Sequence, residues 1–322
     1  MLKAETYQVG VGPSDPTWGP KWTEGTFYIG VMAAYDTTKN AQYLTDATKW
    51  AATNKYTLSG SPTTDANAWC AGQVYAELYL MDPTTNASDL TSSQASVESA
   101  DTTPPPSFAN FWYWADALFM GPGLVARVGS AAGASAGAKY FSLLDTEWTA
   151  TQTKLYDPTH KLFWRDSSFV NTTTYWSRGN GWVMAGTVRV LEYLPQTDAQ
   201  YTSYTTLLKN MASGVAPLQG SDGLWRSNLL DASAFPNPET SGTGLMTFAI
   251  AWGINNGVLD SATYLPVVTN AWNGLVSLVS SAGMLEYVQP TGSAPAAATA
   301  TDTNDYGVGA FLLAGSEVAK LQ

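Results

Sequence analysis

Apolar residues recur at helical spacing along almost the whole chain, in segments of similar length separated by Gly, Pro, Asp and Asn. The pattern predicts eleven helices, over residues 24–36, 41–53, 67–81, 87–101, 111–129, 136–154, 178–194, 199–217, 240–257, 261–281 and 304–320. They fall in pairs repeating about every 45 to 65 residues, too long for the common solenoid repeats and suited to helical hairpins set around a closed ring. Strand signals are few: Lys161 to Arg165 and Gly223 to Ser227 each hold an aromatic core beside a turn and are expected to form small hairpins. The long connections, 54–66, 102–110, 155–177, 218–239 and 282–303, follow every second helix, as a ring with one working mouth requires. No composition shift marks a linker. The Pro-rich run Thr102 to Ser107 and the Ala/Thr-rich run Gly292 to Asp302 read as loops, so residues 1–322 are expected to form one domain.

Charge then removes whole classes of partner. The 15 Lys and Arg stand against 26 Asp and Glu, a net −11, and no basic stripe exists that could follow a phosphate backbone, which excludes nucleic acid. No apolar run approaches the roughly 20 residues needed to cross a bilayer, so no membrane role is expected, and Met1 to Gly10 lacks the apolar core of a signal peptide. With 45% hydrophobic residues the chain is not disordered. The single cysteine, Cys70, leaves no internal disulfide and no cysteine-based metal or iron–sulfur cluster, and no cofactor or metal is expected. Two glycosylation acceptors, Asn86-Ala87-Ser88 and Asn171-Thr172-Thr173, together with scarce Lys, favour a secreted protein.

The 13 Trp, beside 17 Tyr and 10 Phe, admit two readings. Indole plates stack on the apolar faces of sugar rings, or they simply fill a helical core. Two clusters favour the first. Trp112-Tyr113-Trp114-Ala115-Asp116-Ala117-Leu118-Phe119-Met120 sets one carboxylate among large apolar groups, where desolvation raises its pKa and suits it to general acid catalysis. A local cap or ion pair in a core helix is the plainer role for Asp116. Trp176-Ser177-Arg178-Gly179-Asn180-Gly181-Trp182 sets a guanidinium between two indoles at a helix start, a planar fork matching a carboxylate. Its plainer role is an ion pair with a core acid. His160 is the only histidine and lies in the turn Asp157-Pro158-Thr159-His160-Lys161, where a surface role fits best, so a Ser-His-Asp hydrolase is not expected. There is no phosphate-binding glycine loop and no dinucleotide fingerprint after a strand.

Across nearly its whole length the chain resembles glycoside hydrolase family 105, the unsaturated rhamnogalacturonyl hydrolases, related to the unsaturated glucuronyl hydrolases of family 88. The resemblance is carried by an ordered series: Trp22-Thr23-Glu24-Gly25, Gly30 to Tyr35, Gly72-Gln73-Val74-Tyr75 with Leu78-Tyr79, Trp114 to Met120, Trp176 to Trp182, Glu239-Thr240-Ser241-Gly242, and Asp305 to Gly315. It implies an all-α (α/α)6 barrel, a six-hairpin toroid, with the first helix shortened because only about twenty residues precede Trp22. It further implies removal of a 4,5-unsaturated uronic acid from the non-reducing end of short anionic oligosaccharides, by hydration of a vinyl ether rather than displacement at the anomeric carbon. By carry-over Asp116 protonates C4 and then helps water add at C5, Arg178 holds the uronate carboxylate, and Trp114 and Trp182 border the flat ring, with Trp176 and Trp22 nearby. The chain departs from the family at two places. Acidic residues that hold sugar hydroxyls are replaced by Asn67 and Ala68, with Asp65 as a substitute, and Trp164-Arg165 stand where many relatives carry a histidine. Competing readings are a noncatalytic or redirected sugar-binding toroid, an unsaturated glucuronyl hydrolase, and an inverting glycosidase whose second carboxylate would be Glu24, Asp65 or Glu239.

Overall fold

A computed structural model describes residues 1–11, 19–60, 65–84, 86, 88–102 and 112–321. The inner wall is built from helices that are apolar or small on every side, the pattern of a helix with no solvent face: α2 (Trp22–Thr38), α4 (Ala66–Met81), the short α6 (Ala117–Met120) continued by the first part of α7 (Pro122–Leu155), α8 (Ser177–Leu191), α10 (Thr240–Asn255) and α12 (Asp305–Val318). Every residue of α8 is buried. The outer wall is α1 (Leu2–Val11), α3 (Ala41–Thr53), α5 (Thr91–Thr102), the second part of α7, α9 (Tyr201–Val215) and α11 (Ser261–Ser277). On α3, α9 and α11 only one stripe is buried, for example Tyr43, Ala47, Trp50 and Ala51 on α3. Each inner helix packs on the next, and α2 closes the ring against α12. The chain is thus an (α/α)6 barrel.

Small residues set the spacing of the inner ring. A Cβ on Gly30 of α2 would come within 2.3 Å of the Gly309 carbonyl oxygen on α12, and one on Gly309 within 2.3 Å of the Thr26 oxygen, so these backbones touch only because both positions are glycine. A Cβ on Gly186 of α8 would meet the Leu118 oxygen of α6 at 2.0 Å.

Three expectations need correction. Eleven helices become twelve among the described residues, because Leu2–Val11 folds as α1 and rests on α12. Its inward residues are Ala4, Glu5 and Gln8 rather than an apolar stripe, and Gln8 Nε2 donates to Asp305 Oδ1 at 2.6 Å. The helices expected at 111–129 and 136–154 are placed differently. Trp114 pairs as an isolated bridge with Asp166, helix begins only at Ala117, and the wall then runs through Pro122–Leu155 with a reversal at Gly133, whose φ of +79° suits glycine. Contact of Gly137 with the Gly129 oxygen shows that the chain folds back there. Finally, only one of the two expected hairpins forms. In it β1 (Tyr156–Asp157) pairs antiparallel with β2 (Leu162–Phe163), whereas Arg226 makes only an isolated bridge to Pro238. Part of the expected 102–110 loop and of the 54–66 loop lies outside the described residues.

Candidate active site

The inner helices all start at the same end of the barrel, and a pocket of about 170 Å³ opens there between Trp22, Asn67, Trp114, Asp116, Arg165, Trp176, Arg178 and Trp182, with Thr291 and Gly292 on its rim. A larger cavity of about 550 Å³ lies at the opposite end, among the carboxyl ends of the inner helices. Its charges are paired: Asp36 with Lys39, Glu317 with Lys320, and Glu77 and Glu192 with Arg127 and Arg189. The smaller pocket instead gathers buried polar atoms without partners, namely Asp116 Oδ1, Arg165 Nε and Arg178 Nε. Because such atoms are costly to bury, their concentration in one pocket marks a place where a ligand supplies the missing contacts.

Asp116 occupies the cap position of α6, with 8% of its surface exposed. Burial raises its pKa, and the positive charges of Arg165 and Arg178 offset part of that rise while Asp166 adds to it, leaving the group pushed up to about 6. It is therefore an acid that can hold its proton in mildly acidic solution and release it without a large penalty. Arg165 Nε lies 3.6 Å from Asp116 Oδ2.

Arg178 sits in the first turn of α8, 1% exposed and held between the rings of Trp176 and Tyr306, whose centroids are 4.5 and 4.8 Å from its guanidinium carbon. Nη1 donates to the Gln289 carbonyl at 2.5 Å, with Ser241 Oγ and Tyr306 Oη at 3.4 Å, and Nη2 donates to the Pro290 carbonyl at 3.0 Å. That leaves the side-on edge, Nε with one Nη2 hydrogen, for a planar anion. Gln289 braces the assembly, since its side-chain oxygen also accepts from Trp176 Nε1 at 2.9 Å and Ser227 Oγ at 3.1 Å.

Trp22 stacks on Tyr306 at 5.1 Å and meets Trp182 edge-on at 6.3 Å, while Trp182 leans on Phe119 at 4.7 Å. These aromatics form a flat-walled slot beside the acid.

Of the residues expected at the site, Asp116, Trp114, Arg178, Trp182, Trp176, Trp22 and Asn67 converge on the pocket. Asp65 and Trp164 do not line it. Asp65 caps α4 by accepting from Asn67 N at 2.9 Å, and Trp164 turns away to stack on Tyr175 and donate to the Thr172 carbonyl. The candidate second carboxylates are likewise committed: Glu239 caps α10 through Ser241 N and Gly242 N, and Glu24 accepts from the Thr23 hydroxyl. Among the described residues Asp116 is the only carboxylate lining the pocket. His160 is outside it, its Nδ1 donating to Asp157 Oδ2 at 2.6 Å beside the Tyr175 hydroxyl. Sequence reasoning missed Tyr306, Gln289, Thr291 and the direct part played by Arg165. Tyr306 carried a signal in the motif opening α12, and Arg165 one as part of the Trp164-Arg165 departure from the family.

A single buried acid beside an open guanidinium edge, in an aromatic slot at the mouth of a helical toroid, is the arrangement of a carbohydrate-active protein. The chain matches Glycosyl Hydrolase Family 88 over residues 1–322 and belongs to that family. It is similar to an unsaturated 3S-rhamnoglycuronyl hydrolase of Formosa agariphila, 35% identical over 100% of this chain and 90% of the relative, and to one from an Alteromonas species, 31% identical over 92% and 77%. Among solved structures, a family 88 glycosyl hydrolase from Bacteroides vulgatus superposes with a TM-score of 0.89 at 28% identity, covering 100% of this chain and 98% of the other. The protein is a glycosidase.

Proposed function

We propose that this glycosidase removes a 4,5-unsaturated uronic acid from the non-reducing end of a short, rhamnose-containing oligosaccharide, by hydrating the vinyl ether. The observation that carries the reading is the lone carboxylate: displacement at the anomeric carbon normally needs two, whereas hydration uses one acid twice. Asp116 gives its proton to C4, and positive charge develops at C5 and the ring oxygen. Water adds to C5 and returns a proton to the Asp116 carboxylate. The hemiketal then opens by breaking the C5–ring oxygen bond to a ketone, and the hemiacetal left at C1 releases the aglycone. The open edge of Arg178 receives the uronate carboxylate, and Trp22, Trp114 and Trp182 bound the flat ring. Rhamnose as the neighbouring sugar is supported by the names of the curated relatives. Work outside the cell belongs to the same proposal, supported by the acceptor Asn171, which is exposed at a turn.

The test is the ultraviolet absorbance of the conjugated alkene in a lyase-generated unsaturated disaccharide ending in rhamnose. Loss of absorbance with release of the sugar is expected. A flat trace with rhamnose-linked and other uronides alike, with ligand still bound, would put a noncatalytic sugar-binding toroid in its place.

A further inference from the structure

Asp116 must serve both as acid and as carboxylate within one turnover, and burial alone favours only its neutral form. The charged groups facing it are few: Arg178 from α8, and Arg165 and Asp166 from the segment after β2, while α2 and α4 bring Trp22 and Asn67, which carry no charge. Arg178 changes its effect when substrate arrives. Once a uronate carboxylate lies on its open edge, that anion cancels the guanidinium's charge as seen from Asp116. Arg165 is then the one cation left facing the acid.

Its placement is built in. The Arg165 carbonyl accepts from Ala115 N at 2.7 Å, and Trp114 bridges to Asp166, so the backbones carrying the two side chains are stitched together on both sides. Nη1 is held by Asp166 Oδ2 at 2.7 Å, and Ser168 N and Oγ in turn bind Asp166 Oδ1. The Nε edge is left 3.6 Å from Asp116 Oδ2, beyond hydrogen-bond length, with no other partner. The pair is thus coupled by charge, and the acid stays free to carry its proton.

We propose that Arg165 is a positioning residue that holds Asp116 ready to become a carboxylate in the loaded site, and that it fixes the pH range over which the acid works. This rests on the hydration reading above. An Asp beside an Arg is typically stabilised as carboxylate by about one unit or more, so Arg165→Gln and Arg165→Met are expected to raise the Asp116 midpoint about tenfold in proton affinity, and Arg165→Lys to restore most of it.

The test has two arms. In the first, Asp116 is titrated by carbon NMR of the carboxyl group in the folded apo protein, with Asp116→Asn for assignment. A midpoint about one unit higher in the Gln or Met variant, and near the parent value in the Lys variant, supports the proposal. An unmoved midpoint in a neutral variant overturns it, whatever the fate of the activity. In the second arm the alkaline limb of kcat/KM on the unsaturated disaccharide is followed. It should shift upward by a similar amount while the plateau of kcat falls at least tenfold and KM stays within about threefold. A large rise in KM with an unshifted limb would make Arg165 a substrate anchor and overturn the proposal. No turnover by the parent protein would instead sink the hydration reading, leaving the titration to decide on Arg165.

Discussion

Gly186→Ala tests whether the packing of the inner ring governs the chemistry. Gly186 lies on the same face of α8 as Trp182, one turn apart, and that face abuts α6, whose cap is Asp116. An added Cβ would stand 2.0 Å from the Leu118 carbonyl oxygen and 3.0 Å from the Phe119 Cα, where real Cβ atoms essentially never come under 3.0 Å. The obstacle is backbone and cannot rotate away, so α6 must retreat by about 1 Å. Overpacking of this kind costs about 1–3 kcal/mol, and the usual helix gain of alanine over glycine returns about 0.5–1 kcal/mol. The net loss is about 0.5–2 kcal/mol, a fall of about 1–3 °C in Tm for a chain of this size. Because the displaced segment ends in Asp116, kcat should fall about 10- to 100-fold with KM nearly unchanged, the scale of a misplacement of about 1 Å. The control is Gly10→Ala in α1, where a Cβ meets nothing within 4 Å. It should leave Tm and kcat at or slightly above the parent values. Thermal unfolding by circular dichroism and the alkene absorbance assay give both readouts, and a Gly186→Ala protein that melts and turns over like the parent would refute the coupling of ring packing to the acid.

Asp116→Asn should lower kcat at least a thousandfold while keeping ligand binding, read from tryptophan fluorescence, because an amide keeps the shape but cannot give and reclaim a proton. Arg178→Lys should raise KM about tenfold with a smaller change in kcat, since an ammonium lacks the side-on fork and the stacking on Trp176 and Tyr306. At Asp157, burial would raise the pKa, but hydrogen bonds from the Tyr175 hydroxyl, His160 and Thr159 N outweigh it and bring the group down to about 2 from 3.8. A depressed carboxylate stabilises the fold above its unfolded pKa and loses that contribution as pH falls towards the folded one. Asp157→Asn should therefore be less stable than the parent in urea at pH 7, with the gap narrowing between about pH 4 and pH 2.

The ring was legible because helical segments of similar length recur in pairs joined by Gly, Pro, Asp and Asn, and the structure adds the division into buried inner helices and outer ones with a single buried stripe. The burial of Asp116 was legible too, since it lies in the apolar run Trp112 to Met120, to which the fold adds Trp22, Trp176 and Trp182 from afar. The N-terminal helix was not. Glu5 and Gln8 turn inward there, and Glu5, raised to about 8 by burial and by Asp46 alongside, is comfortable inside only as a neutral acid. A pattern reader takes such residues for a solvent face. Trp112 to Asp116 looked helical for the opposite reason: the apolar content suits a helix, but Trp114 is drawn into a bridge with Asp166 and the helix starts only after the turn at Ala115 and Asp116. Gln289 and the pairing of Arg165 with Asp116 were hidden by distance along the chain. Gln289 acts on Trp176 and Arg178 from 113 and 111 residues away, and nothing in the run around it signals that role.

The remaining tension is that a chain of net charge −11 is proposed to capture an anion. Local geometry resolves it. The inner helices point their amino ends at the mouth, where their partial positive charge adds to Arg165 and Arg178, while Asp65 and Glu239 cap the ends of α4 and α10. Arg178 adds a full charge where such a helix end disfavours it, and the carbonyls of Gln289 and Pro290, turned inward from the 282–303 loop, compensate that cost. At the other end, among the carboxyl ends of the same helices, Arg127 and Arg189 face the opposite dipole and are neutralised by Glu77 and Glu192. The barrel thus carries its field along its axis, and the acidic outer surface is screened within about 10 Å at ordinary salt. A long polyanion would lie against that acidic exterior and be repelled, whereas a short one places its single terminal carboxylate inside the positive mouth. A charge distribution of this kind favours chain ends over chain middles, in keeping with the proposed exo-acting reading and with a pocket of only about 170 Å³.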